Sequence, residues 1–170
     1  GARTINNTLT AALATIKENN DIQFIWQTGK YYYPQVTEAV RAAGELPNLY
    51  VTDFIKDMAA AYAASDLVIS RAGAGSISEF CLLHKPVVLV PSPNVAEDHQ
   101  TKNALALVDK QAAIYVKDSE AEAKLMDVAL NTVADDRKLK ELSENIAKLA
   151  LPDSARIIAQ EVIKLAEAEN

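Results

Sequence analysis

The chain has 170 residues and a mass of 18.4 kDa, the size of one globular domain or of one half of a two-domain enzyme. Hydrophobic residues make up 49%, enough for a real core, while a net charge of −6 and a pI near 4.9 argue against a nucleic-acid-binding surface. The one cysteine, Cys81, excludes an internal disulfide framework and a cysteine-built zinc site; no stretch reads as a signal peptide or approaches the roughly 20 apolar residues of a transmembrane helix. Glycine is scarce, at five residues including Gly1, or about 3% against a usual ~7%.

Ile5, Leu9, Leu13 and Ile16 form one apolar stripe, which predicts a helix over Arg3 to Asn19. Ile22 to Gln27 is a β-rich run closed by Thr28-Gly29. The next helix takes Pro34 in its first turn and stops before Gly44. Leu49 to Phe54 is a second strand, Asp57 to Ala64 a small-residue helix, and Leu67 to Ser70 a third strand running into Arg71-Ala72-Gly73-Ala74-Gly75. A helix starts near Ser76 and ends before Pro86, and Val87 to Val90 is a fourth strand. A helix over Asp98 to Val108, a short strand over Ala113 to Val116, and helices over Ser119 to Val133, Asp135 to Ala150 and beyond Pro152 complete the chain. Ser119 and Glu122 have the spacing of a capping box.

Alternation of strand and helix predicts an α/β, Rossmann-like, doubly wound parallel sheet covered on both faces, with right-handed crossovers. Such sheets bind ligands outside the carboxyl ends of their strands, near the point where strand order reverses. The turns after Gln27, Phe54, Ser70 and Val90 are therefore the places to search.

The segment from Arg71 to Glu79 carries two of the five glycines between a buried strand and a helix start. A turn poor in side chains lets a ligand approach the backbone, and free N–H groups at the helix start favour an anion such as a diphosphate. The third glycine of the dinucleotide fingerprint is replaced by Ser78. Ser76 and Glu79 also have the spacing of a capping box, so a plain cap competes with the phosphate reading. Free of a cap, Glu79 can accept hydrogen bonds from two sugar hydroxyls, as acidic residues do for ribose in other doubly wound folds. Glu97 to Asn103 crowds polar side chains at the end of the fourth strand, where a sugar could be read or a solvated helix start could stand. His99 has only His84 for histidine company, far along the chain, which weighs against a metal site. Cys81 reads as core, Ile55 as either packing or a face for a flat base, and Tyr31-Tyr32-Tyr33 as partly buried or a partner contact, with a membrane contact as the lesser alternative.

Several of these stretches stand in a recognisable order: Phe54-Ile55-Lys56-Asp57-Met58-Ala59-Ala60-Ala61-Tyr62, then Ala64 to Ala74, Ser78-Glu79, Asp98-His99-Gln100 and Asn103-Ala104. Together they resemble the carboxyl-terminal half of the MurG family of peptidoglycan N-acetylglucosaminyltransferases, and the resemblance covers nearly the whole chain. It implies one half of a two-domain GT-B fold, entered after its first strand, with the acceptor domain absent. It further implies an inverting transfer of N-acetylglucosamine from a UDP donor to lipid I, giving lipid II. Peripheral attachment to the cytoplasmic face of the bacterial membrane would run through the absent domain.

Carried over by motif, Ile55 would contact uracil, with Met58 lining that side. Ala74, Gly75 and Ser76 would face the diphosphate, Glu79 the ribose hydroxyls and Gln100 the N-acetylglucosamine; Arg71 would help position uracil or phosphates. No catalytic residue, metal or cofactor is implied for this half, nor any nucleic-acid partner. The family carries a larger residue where Gly75 stands. A UDP-sugar-binding domain of another GT-B enzyme, such as a glycolipid synthase, or a non-catalytic interaction domain are the alternatives. If a central strand is lacking, two strand edges face a gap, so the sheet should be rearranged there or the slot otherwise filled.

Overall fold

The computed structural model describes residues 2–94, 98–151 and 164. Gly1, Glu97 and the helix expected after Pro152 lie outside them. In chain order the elements are α1 (Arg3–Ala11), α2 (Leu13–Glu18), β1 (Phe24–Gln27), α3 (Tyr33–Ala43), β2 (Leu49–Thr52), α4 (Met58–Ala64) and β3 (Val68–Ser70). They continue with α5 (Ala74–Leu82), β4 (Val87–Leu89), α6 (His99–Val108), β5 (Ile114–Tyr115), a 3-10 turn (Asp118–Glu120), α7 (Ala121–Val133) and α8 (Asp136–Ala147).

All strand pairs are parallel, in two pieces: β1 with β2, and β3-β4-β5 in that order. The chain winds outward from β1 to β2, crosses back to β3 and winds outward again through β4 and β5. Its reversal point lies between β1 and β3, where no ladder joins the pieces among the described residues. The sheet is divided there rather than refilled: among the described residues no other strand stands in the slot.

Period-two alternation explains the core. Val87 and Leu89 pack with Phe80, Cys81, Ala104, Leu107 and Ile146, whereas Val88 and Val90 pack with Val116, Ala121 and Leu125. The β4 strand is thus buried on both faces, as its unbroken apolar sequence requires. The β1–β2 piece departs from the two-faced expectation. Trp26 packs with Leu13, Ile16, Val36 and Met126, joined by Phe24, Leu49 and Val51, but the paired Ile25 and Tyr50 on the other face are exposed. No residue of α4 is itself buried.

Local signals place most boundaries. Gly44 ends α3 at φ 88°, in the region open to glycine, and the Asp57 side chain caps α4 by accepting from Ala60 N at 2.9 Å. Three local expectations are corrected. The first helix is broken at Ala12, whose ψ of 13° leaves the helical range, although Ala12 N still donates to Thr8 O and Ile16 N to Ala12 O. The α5 helix starts at Ala74 with Gly73 as its cap residue and no side-chain cap, so Ser76 and Glu79 form no capping box. Ser119 lies inside the 3-10 turn that precedes α7 and likewise caps nothing.

Two buried asparagines pin the β1–β2 piece to α1 and α2. Asn48 Nδ2 donates to the carbonyls of Ile16, Asn19 and Ile22, at 2.9, 3.0 and 3.1 Å, closing the turn between α2 and β1. Asn6 Nδ2 donates to Thr28 O at 2.9 Å while its Oδ1 accepts from Trp26 Nε1 at 2.8 Å. Replacing Asn6 by Ala strands a buried indole N–H and a buried carbonyl, which is expected to lower stability by about 2–4 kcal/mol. Equilibrium urea unfolding measures this, and the loss should shrink in a Trp26→Phe background, where the indole donor is gone.

Candidate functional site

The strand ends open onto one cavity of about 730 Å³. Its wall is drawn from Ala2, Arg3 and Thr4 at the start of α1, Tyr32 after β1, Arg71 after β3, Ser92, Pro93 and Asn94 after β4, Gln100 in α6 and Asp118 after β5. Turns from both sheet pieces therefore meet at the reversal point, where an open α/β sheet is expected to bind. Of the residues singled out in the sequence, Arg71 and Gln100 line this cavity. Ile55, Met58, Ala74, Gly75, Ser76 and Glu79 stand outside its wall.

Arg71 is held on three sides. One guanidinium nitrogen donates to Val90 O at 3.0 Å and Pro91 O at 3.1 Å and forms an ion pair with Asp118. Both side chains are about four-fifths buried, with 21% and 19% exposed. The second oxygen of Asp118 accepts from the Thr4 hydroxyl at 3.0 Å, which brings α1 into the same network. The charge of Arg71 is thus spent locally, and its visible work is to join the ends of β3, β4 and β5.

The glycine turn is clamped from behind. Gln100 Oε1 accepts from Ala72 N at 3.2 Å and from Ser92 N at 2.9 Å, and Asn103 Nδ2 donates to Ala72 O at 3.2 Å. With Oε1 engaged, the group Gln100 can offer a ligand is its Nε2 donor. The front of the turn is open. The first bond of the α5 ladder runs from Ile77 N to Gly73 O, so the N–H groups of Ala74, Gly75 and Ser76 lie ahead of it without a side-chain cap. A Cβ built on Gly73 or Gly75 meets no atom within 4 Å, and neither glycine has positive φ. Nothing within the described chain requires glycine at either position.

On the other side of that turn, Ile55 N donates to Gln27 Oε1 at 2.8 Å, which fixes the loop between β2 and α4, and half-buried Met58 opens α4. The α4 helix reaches α5 through Tyr62, whose hydroxyl donates to Glu79 Oε2 at 3.1 Å. Glu79 is exposed. Burial first, then the hydrogen bond and the charge of Glu79, push the Tyr62 phenol up to about 12. Cys81 sits in the core, as its apolar neighbours imply, and burial pushes its thiol up and away from nucleophilic character.

A family model described as the glycosyltransferase family 28 C-terminal domain matches residues 1–158. The chain belongs to this family. A Bacteroides fragilis protein named UDP-N-acetylglucosamine--N-acetylmuramyl-(pentapeptide) pyrophosphoryl-undecaprenol N-acetylglucosamine transferase is 80% identical over 98% of this chain and 44% of its own length. A Phocaeicola vulgatus protein of the same name is 66% identical over the same shares. The crystal structure of Acinetobacter baumannii MurG superposes with a TM-score of 0.81 at 29% identity, over 96% of this chain and 47% of that one. The glycosyltransferase VinC, solved in complex with DTDP, shares the fold with a TM-score of 0.70 at 20% identity, over 93% of this chain and 37% of that one. The family 28 domain thus spans less than half the length of the curated relatives it matches.

Within the family 28 domain, sequence reasoning passed over Asp118, Tyr62 and Gln27. The signal for Asp118 was present: it follows a short strand at its carboxyl end, the position that drew attention to Arg71. Tyr62 and Gln27 carry no local mark, because each acts on a residue far along the chain. Asp118→Ala leaves the Arg71 guanidinium poorly paired and is expected to cost about 1–3 kcal/mol in urea unfolding. Converting both partners to apolar residues (Arg71→Met with Asp118→Leu) should cost less than the sum of the single changes.

Proposed function

We propose that this chain is the donor-binding half of an inverting hexosyltransferase. The reaction moves N-acetylglucosamine from UDP-N-acetylglucosamine to the undecaprenyl-diphosphate-linked muramoyl pentapeptide, lipid I, giving lipid II for peptidoglycan. The observation that carries the reading is the α5 amino terminus: three N–H groups ahead of the helical ladder, beside two glycines that no contact in the described chain explains. A diphosphate fits the open N–H groups, since it seeks donors at a helix start, and Gly73 leaves the approach to them bare. The 80% identity to the Bacteroides fragilis transferase supports this choice of donor and acceptor.

In this reading Ala74, Gly75 and Ser76 hold the diphosphate, and Glu79 accepts from the two ribose hydroxyls. Ile55 and Met58 face the uracil, and Gln100 donates through Nε2 to the N-acetylglucosamine. Arg71, already paired with Asp118, positions the strand ends rather than supplying a free charge. An acceptor hydroxyl attacks the anomeric carbon, the bond to the β-phosphate oxygen breaks, and the electron pair departs with UDP. The charge that develops on the leaving diphosphate falls on the amino terminus of α5, whose aligned peptide dipoles need no reorganisation to receive it. The base that takes the acceptor proton and the surface that meets the lipid at the cytoplasmic face of the membrane belong to a second domain, so this half alone is inactive. Among the described residues no helix is long and apolar enough to cross a membrane.

Two substitutions test the reading in the intact protein by calorimetry. Glu79→Gln should weaken UDP by about tenfold to a hundredfold, the range for a hydrogen bond to a charged group, and leave inorganic pyrophosphate unchanged. Equal losses for both would remove Glu79 from the ribose site, and a protein that binds no uridine nucleotide would overturn the whole reading. Gly75→Ala should leave the melting temperature unchanged or raised, by up to about 1 kcal/mol of stability, because no protein atom opposes the new methyl. Because the family carries a larger residue at this position, the same change should leave UDP affinity within about twofold.

A further inference from the structure

The Glu79 side chain is exposed on α5, and a free glutamate there samples many rotamers. A carboxylate that must meet two neighbouring hydroxyls loses that freedom on binding unless the protein has already removed it. The described chain supplies one direct restraint, the Tyr62 hydroxyl at 3.1 Å from Glu79 Oε2. Tyr62 is itself fixed. Its ring stands edge-to-face on Phe80, with centroids 5.8 Å apart and planes at 89°, and Phe80 is 1% exposed in the core. Phe80 follows Glu79 in the same helix, so the ring anchor and the carboxylate it steers share one rigid element.

We propose that Tyr62 is a positioning residue that orients the Glu79 carboxylate toward the ribose diol of the nucleotide. The chemistry is consistent with the atom count. An ionised carboxylate has about four acceptor sites, and Tyr62 uses one on Oε2. The remaining site on Oε2 and both on Oε1 can take the 2′ and 3′ hydroxyls. The phenol stays protonated through the neutral range, since burial and the neighbouring carboxylate hold it up to about 12, so it remains a donor to Glu79 wherever the enzyme works. The proposal rests on Glu79 holding the ribose, and the test below separates the two ideas.

The experiment compares UDP with 2′,3′-dideoxyuridine diphosphate by calorimetry on the intact protein, in wild type, Tyr62→Phe, Glu79→Gln and the double variant. The Phe variant keeps the ring on Phe80 and removes only the hydroxyl, so the fold is retained. Wild type should favour UDP over the dideoxy compound. Tyr62→Phe should weaken UDP by about fivefold or more, as loss of one charge-assisted hydrogen bond implies, and leave the dideoxy compound unchanged. In the Glu79→Gln background the same change should add less than twofold. Equal weakening of both nucleotides, or an undiminished effect in the Gln background, would mark Tyr62 as a mere strut between α4 and α5 and overturn the proposal. UDP binding untouched by Tyr62→Phe overturns it as well. A wild type that binds both nucleotides equally overturns the ribose role of Glu79, and this proposal falls with it.

Discussion

Because no hydrogen-bonded ladder joins β1 to β3 among the described residues, the two pieces of the parallel sheet are held in register through side chains. Ladder bonds are many and uniform; side-chain ties are few and each is individually exposed to mutation. Helices α1 and α7 provide most of the span. Ile5 reaches the cluster of Val88 and Val90, whereas Leu9, with Met126 and Leu130 of α7, packs into the cluster around Trp26. Asn6 adds the polar share by matching one donor and one acceptor on the β1 side. A buried amide satisfied at both ends specifies one seating of α1, which an apolar contact of similar area would leave free to slide.

The same constraint shapes the cavity. With no strand pairing across the reversal point among the described residues, the turns at the strand ends are fixed from outside the sheet. Arg71, Asp118 and Thr4 link the ends of β3, β4 and β5 to α1, and Gln100 and Asn103 hold both polar groups of the Ala72 peptide from α6. These polar groups are consumed in setting the turn. On the opposite side, the N–H groups that open α5 have no partner among the described residues. A rigid back and an open front follow from one allocation of donors and acceptors.

The strand–helix alternation was legible in the sequence because each strand is a short apolar run ended by a turn residue. The doubly wound class followed from it, whereas the interruption at the centre followed from the family resemblance, which implies a chain entered after a first strand. The positions of Gly44 and of the glycine turn were legible for the same reason: their chemistry is local. The start of α5 was misread by two residues because Ser76 and Glu79 satisfy the capping-box spacing, and spacing says nothing of whether the preceding backbone is already helical. Gly73 at φ −67° and ψ 142° begins the helix earlier, and Ser76 becomes its third residue. The one-faced burial of β1 and β2 was hidden because Ile25 and Tyr50 look like core residues in any apolar run. The ties made by Tyr62 and Gln27 were beyond local reading, as their partners lie 17 and 28 positions away.

The pairing of Arg71 bears on why a helix start, rather than a cation, would receive the diphosphate. A free guanidinium aimed at the phosphates would hold UDP-sugar and UDP alike, and binding that is equal before and after transfer adds nothing to the chemical step. It would also slow departure of the product. The α5 amino terminus carries only about half an elementary charge, spread over fixed N–H groups. Such a partial charge gains most from the oxygen on which charge grows as the glycosidic bond breaks, and it is weakened by water once the site opens. Neutralising Arg71 with Asp118 therefore does more than join three strand ends. On the proposed reading it would keep the site from trapping the nucleotide it releases, and would leave the α5 amino terminus as the feature on which discrimination between ground state and transition state depends.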